Sequence, residues 1–217
     1  MRPGFFITFE GGEGAGKSTQ LRRLAAGLTD RLSGSGRGVV ATREPGGSAG
    51  AEAIRSLLVE GAADRWSAMA ETLLLYAARE DHMRRTIRPA LAEGAVVLCD
   101  RFADSTRAYQ GAAGGVDPAM LDALEAAVLG DTRPDLTLIL DLPAATGLHR
   151  AIGRGGAEAR FESKGLEFHE RLRAGFLAIA RAEPARCAVI DADRPVEAVA
   201  ADIDDIIATR LPALVTP

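Results

Sequence analysis

The chain contains no asparagine and only two lysines, Lys17 and Lys164, among 26 basic residues. Without asparagine there can be no Asn-Lys-x-Asp element, so a guanine-reading regulatory GTPase is disfavoured. Arginine is used almost everywhere a cation is needed, and position 17 therefore marks a place where a compact ammonium suits better than a planar guanidinium. The two cysteines, Cys99 and Cys187, are too few for a disulfide scaffold and are wrongly spaced for zinc. Cys99 lies in an apolar run and reads as a buried thiol. No apolar stretch approaches the about 18 residues of a membrane span, and MRPGFFITFE is not a secretion signal. The net charge of -4 gives no global basic field for nucleic acid or anionic lipid. These absences describe a reduced, cytoplasmic protein with neither nucleic acid nor membrane as partner.

The 217 residues suit one domain, and 47% hydrophobic with 26% charged residues is ordinary for a globular chain. FFITFE (Phe5–Glu10), AVVLCD (Ala95–Asp100) and LTLILDL (Leu136–Leu142) read as buried parallel strands. GVVATR (Gly38–Arg43) and CAVID (Cys187–Asp191) are weaker candidates. Helical patterns cover Ser18–Leu32, Ser67–Arg88 (ended by Pro89), Pro118–Leu129, Leu166–Ala182 and Val196–Leu211. Strand and helix alternate, so a doubly wound α/β fold is expected, with ligands beyond the carboxyl ends of the strands. That rule brings Glu10–Lys17, Arg43–Gly47 and Asp100–Arg107 onto one surface.

Gly11-Gly12-Glu13-Gly14-Ala15-Gly16-Lys17-Ser18 has the spacing G-x-x-x-x-G-K-[ST], between a predicted strand and a predicted helix. Its glycines let backbone N–H groups turn into an anion nest, and the helix start adds its own unpaired donors. Lys17 brings charge to the outer phosphates and the Ser18 hydroxyl suits Mg²⁺. Thr19 can cap the helix or touch phosphate. The segment is thus expected to bind a nucleoside triphosphate. Glu13 is unusual beside a phosphate nest and is either a solvated loop residue or a hydrogen-bond partner for a sugar hydroxyl.

Arg43 and Arg101 each end a strand. Together they can hold a second phosphate; alternatively each pairs with its neighbour, Glu44 or Asp100. Asp100 and Asp141 both end apolar strands and compete for the metal, with the following arginine and the polar run Asp104–Gly111 favouring Asp100. Residues 154–165 carry Arg154, Arg160 and Lys164 among glycines. They read as a lid over the phosphates or as a solvated loop.

GGEGAGKST, TREPGG, the Cys-Asp-Arg at 99–101, STRAYQG and LGDTRPDLTLILD occur in the order seen in thymidylate kinases, and the sequence resembles that family from Phe5 to about Ile207. The resemblance implies a P-loop NTPase-type three-layer α/β fold with a five-stranded parallel sheet. It implies one kinase domain over 1–217, with a short lid at about 153–165, and usually a homodimer. It implies phosphate transfer from ATP to dTMP with Mg²⁺. Glu13 then resembles the carboxylate that meets the dTMP 3′-hydroxyl, and Arg43 and Arg101 the acceptor-phosphate arginines. Arg79 resembles the arginine that reaches thymine, while Thr106 and Gln110 lie where the family contacts the base. Tyr109 resembles the residue that crowds the 2′ position. Gly46 and Gly47 would let the backbone approach the acceptor.

Gly14 stands where some members carry an arginine, which implies that the catalytic arginine comes from the lid, Arg154 ahead of Arg160. Leu75 stands where many relatives have an aromatic. It shares a helix face with Arg79, whereas Tyr76 is turned roughly 100° away. Met69, Leu73 and Ala77 are expected to face the core. Two rival readings remain: a kinase for another nucleoside monophosphate, and a nucleotide-binding module without catalysis.

Overall fold

The computed structural model describes residues 4–62, 65–153 and 164–214. Five parallel strands form one sheet: β1 (Phe5–Glu10), β2 (Val39–Arg43), β3 (Val96–Asp100), β4 (Leu136–Asp141) and β5 (Cys187–Asp191), in spatial order β2-β3-β1-β4-β5. The three central strands are the three strong apolar runs, because both of their faces are covered. The edge strands are more exposed, β2 with no fully buried residue and β5 with two exposed ones, which is why their sequence signal is weaker.

Side-chain alternation along β1 splits the core. Ile7 and Phe9 face Leu21, Leu24 and Leu28 of α1 (Lys17–Arg31) and Ile203 and Ile207 near the carboxyl terminus. Phe6 faces the other way, with Val97 and Cys99, against Met83, Ile87, Leu121 and Leu129. A third cluster sets Ile139 and Cys187 against Phe168, Leu172 and Phe176. The chain leaves β1 through α1 for the edge strand β2, and the later connection from β3 to β4 crosses β1, which lies between them. The crevice therefore opens at the carboxyl end of β1. Register places Arg43 beside Asp100, and Asp100 beside Phe9, on that rim.

Three helices escaped the periodicity. They are α2 (Ala49–Val59), capped by Ser48, α5 (Ala103–Thr106) and α7 (Ala144–Ile152). α2 buries only Ala51 and Leu58, and α5 is polar because it faces a site rather than the core. The long helical pattern is α3 (Ala68–His82), followed by a π turn at Met83–Ile87 and α4 (Arg88–Ala92). Pro89 does not end it. The π turn bonds the Arg88 N–H to Met83 O, so the donor that proline lacks falls where the regular ladder is already interrupted. A second π turn, Arg107–Ala112, extends α5. The remaining helices are α6 (Pro118–Leu129), α8 (Leu166–Ala182) and α9 (Val196–Arg210). They match the expected spans within one residue.

Candidate active site

The loop between β1 and α1 is held by its neighbours. Gly11 has φ 131° and a side chain there would meet the Leu140 carbonyl of β4. Gly14 has φ 68° and a side chain would meet the Gly147 carbonyl of α7. Ala15 is buried and Gly16 occupies the cap position of α1. That helix begins with no side-chain cap bond and no acid in its first turn, so its amino-terminal dipole is unopposed. Lys17 is buried and its Nζ donates to Gly11 O at 3.1 Å and Gly12 O at 2.7 Å, folded back across the loop. Thr19 is exposed on the first turn.

The Ser18 hydroxyl donates to Asp100. Asp141, the rival carboxylate, is instead bound on both oxygens by Arg173 at 2.7 Å each. Among the described residues no group of three or more His, Cys, Asp and Glu could hold a metal ion. A hydroxyl and one carboxylate beside a phosphate nest suit Mg²⁺, which keeps waters and takes substrate phosphates as further ligands.

Arg101 joins this loop to a pocket. Its backbone has φ 66°, uncommon for a residue with a side chain, and is anchored by its N–H to Phe9 O at 2.9 Å. Its guanidinium donates to Gly11 O at 3.1 Å, to Ser105 Oγ at 3.3 Å and to Glu13 Oε2 at 3.0 Å. It lies 4.9 Å from the centroid of the Tyr109 ring, and the Tyr109 hydroxyl donates to the other oxygen of Glu13. Burial alone would raise the Glu13 carboxyl. Arg101, Lys17, the Tyr109 hydroxyl and His169 together reverse this and lower it to about 2. Glu13 is thus a buried, ionised acceptor, not a solvated loop residue.

The pocket is lined by Glu13, Leu75, Arg79, Arg101, Thr106, Tyr109 and Gln110, with Glu44, Pro45 and Phe102 among their neighbours. Neither arginine pairs with its sequence neighbour. Arg101 takes Glu13, while the exposed Arg43 takes both oxygens of Glu52 on α2 at 3.0 Å. Glu44 turns inward, accepting from Arg79 Nε at 2.7 Å and meeting His82 Nδ1 at 3.0 Å. His82 Nε2 in turn meets Thr42 Oγ1 at 2.8 Å, and Gly47 lies so close that a side chain there would strike both groups.

Arg79 is almost fully buried, between the rings of Tyr76 and Phe102, and donates Nη2 to Thr106 Oγ1 at 3.1 Å. Its Nη1 has no hydrogen-bond partner among the described residues. Gln110 donates Nε2 to Glu71 Oε2 at 3.2 Å, and among the described residues its Oε1 has no partner either. Thr106, Tyr109 and Gln110 converge because the π turn at Arg107–Ala112 follows α5 directly.

Leu75 lines the pocket as its spacing from Arg79 predicts. The expectation for Met69, Leu73 and Ala77 is corrected: Leu73 is 49% exposed, Ala77 is exposed and Met69 is half-buried. The inward face of α3 carries Glu71, Thr72, Tyr76, Arg79 and His82. Hydrophobicity assigned the wrong face because this helix turns its polar residues toward a pocket.

Glu44 was named only as a partner for Arg43, and Glu10, Glu71, His82 and Ser105 were not given a role in the site. Glu10 is fully buried beneath Arg101 and accepts from Phe102 N at 2.8 Å and from Ser105 Oγ at 2.6 Å. Burial and then the charge of Asp104 push it up to about 8. A charge ending the apolar run FFITFE was the available signal. Arg154 and Arg160, with most of the segment expected as a lid, lie outside the described residues.

Comparison with known proteins agrees with this arrangement. Residues 9–203 match the family model described as thymidylate kinase. The chain is 69% identical over 211 residues to the thymidylate kinase of Caulobacter vibrioides, covering 97% of this chain and 99% of that one. It is 54% identical over 208 residues to that of Ruegeria pomeroyi, covering 96% of each. The crystal structure of thymidylate kinase from Ehrlichia chaffeensis superposes with a TM-score of 0.75 at 35% identity, over 94% of this chain and 99% of that one. The chain belongs to the thymidylate kinase family.

Proposed function

We propose that the protein moves the γ-phosphoryl group of ATP to the phosphate of dTMP, giving ADP and dTDP. The observation that carries this is Arg101, whose guanidinium touches both the phosphate loop at Gly11 and the pocket carboxylate Glu13. One cation thus spans the seam where two anionic phosphates must meet.

The attacking dTMP oxygen is already anionic at neutral pH, so positioning and charge neutralisation do the work. The amides of residues 11–19 and Lys17 hold the donor. Lys17 leaves the carbonyls of Gly11 and Gly12 to do so. Ser18 and Asp100 would hold Mg²⁺, which neutralises charge on the β- and γ-phosphate oxygens when bound. Arg43 and Arg101 receive the acceptor phosphate, Arg43 by leaving Glu52. Arg154 or Arg160 supplies a further cation to the transferring group.

Glu13, held ionised, accepts from the 3′-hydroxyl, and Tyr109 beside it leaves little room at the 2′ position. The base lies against Leu75, above Thr106. Arg79 Nη1 donates to thymine O4 while Gln110 Oε1 accepts from N3–H. These two unpartnered atoms have the polarity a thymine edge requires.

The chain acts as one kinase unit and as a homodimer. In support, Met69, Leu73 and Ala77 present a partly apolar row four residues apart on the outer face of α3, next to α2 and α6 with exposed Leu57 and Met120. A sedimentation profile of a lone monomer would refute the dimer. Buried, unpaired Cys99 and Cys187 suit a reducing cytoplasm. Among the described residues no helix is long and apolar enough to cross a membrane. Recovery with the membrane fraction would count against that location.

The test of the whole reading is ADP release with dTMP, dUMP, UMP, CMP and AMP. Release that depends on dTMP and exceeds that with each rival supports it. Release indifferent to the acceptor, or none at all, removes it.

A further inference from the structure

Glu71, Leu75 and Arg79 stand one helical turn apart along α3, which packs on the π turn carrying Gln110. Leu75 and Arg79 line the pocket. Glu71 does not, yet it is only 2% exposed. A carboxylate this deep costs free energy unless it is bonded. A first-turn acid that serves only the helix dipole could as well face solvent, as most charged side chains do. Here it reaches across to the Gln110 amide at 3.2 Å.

The chemistry of that contact is directional. A carboxylate only accepts, so it draws the amide nitrogen of Gln110 to itself and leaves the amide oxygen on the opposite side. That oxygen is buried, has no hydrogen-bond partner among the described residues and belongs to a residue that lines the pocket. Nothing else in the described contacts fixes which end of the amide faces the ligand. Glu44 does the matching work for Arg79, holding Nε so that Nη1 remains as a donor.

We infer that Glu71 is a specificity-determining positioning residue. By fixing the Gln110 amide it makes the pocket display an acceptor beside the Arg79 donor. Such a pair selects pyrimidines with a carbonyl at position 4 and a proton on N3, and rejects the cytosine edge. The inference rests on the reading that Gln110 and Arg79 face the base. In E71Q the new amide can accept as well as donate, so Gln110 is free to turn its nitrogen toward the pocket and meet the unprotonated N3 of cytosine.

The experiment measures kcat/KM for dTMP and dCMP in wild type, E71Q, E71A, Q110A and the double variant E71Q/Q110A, with the ATP KM and the melting temperature of each. The expected result is a fall of about tenfold or more in the dTMP-to-dCMP ratio for E71Q and E71A, carried by KM for dTMP, with the ATP KM unchanged. In the Q110A background E71Q should then add nothing, because its effect passes through that amide.

A ratio that falls in Q110A but stays at the wild-type value in both single Glu71 variants overturns the inference and leaves the base contact standing. A ratio unchanged in Q110A overturns the base contact itself. Glu71 variants that fail to fold in every form assign the residue to the core and overturn the inference as well.

Discussion

The phosphate loop and the acceptor pocket touch at Arg101 but are built in opposite ways. The loop is a contiguous run that offers backbone amides, shaped by Gly11 and Gly14 against the carbonyls of β4 and α7. The pocket is assembled from side chains far apart in the chain. Its bonds join Arg79 to Thr106, Arg79 to Glu44, Gln110 to Glu71, Arg101 to Glu13 and Tyr109 to Glu13, across 27 to 96 positions. A backbone site needs few particular side chains and so leaves a short, readable motif. A side-chain site needs each charge to be buried with its partner, since removing one member of a buried pair costs about 3–5 kcal/mol. The difference teaches that the donor half is specified locally and the acceptor half by the fold.

The largest effect should come from removing cations that act on the transferring phosphate. Lys17→Ala, and the double variant Arg154→Ala/Arg160→Ala, should lower kcat by about 10³-fold or more, measured by single-turnover ADP release. Turnover within tenfold of wild type in Lys17→Ala would break the assignment of the loop as the donor site. The same outcome in the double variant would remove the third cation.

A smaller effect should separate the two halves. Glu13 sits in the loop by sequence but in the pocket by contact. Glu13→Gln should raise KM for dTMP about tenfold, the cost of weakening one charge-assisted hydrogen bond, and leave KM for ATP near wild type. Equal changes for both nucleotides would return Glu13 to the donor site. Arg101, Lys17 and Tyr109 hold this carboxyl at about 2 against its burial. Its contribution to stability is therefore present above its ordinary value of 4.5 and is lost only as pH falls through about 2.

The smallest effect concerns Glu10, which lies under the seam. Its folded value of about 8 is above the ordinary 4.5. Between the two, the folded chain keeps a proton that the unfolded chain releases. Its stabilising contribution is thus complete below 4.5 and declines as pH rises through 8. Glu10→Gln should flatten the fall of melting temperature over that window. A slope identical to wild type would mean that Glu10 is ionised in the fold.

How legible each part was follows from how much of its environment is local. β1, β3 and β4 were readable because strands covered on both faces are continuously apolar. β2 and β5 were faint because an edge strand has a face to leave open. α5 and its π turn read only as a polar stretch, since what they bury is a pocket lined by Thr106 and Gln110. Leu75 lines the same pocket as Arg79, as residues four apart on one helix face can. Leu73 and Ala77 were placed wrongly because hydrophobicity cannot tell a core face from an outward apolar row.

The sequence by itself determined the phosphate loop, the parallel α/β class and the strand-end arginines. Each depends on residue type and spacing within one strand–loop–helix unit, where backbone geometry alone dictates the outcome. Only the tertiary structure decided the partners. Glu13 went to Arg101 and Tyr109, Glu44 to Arg79 and His82, Asp141 to Arg173, and Gln110 to Glu71. The physical reason is that a buried charge takes whichever opposite group the packed sheet and helices bring within hydrogen-bond reach, and sequence distance carries no information about that reach.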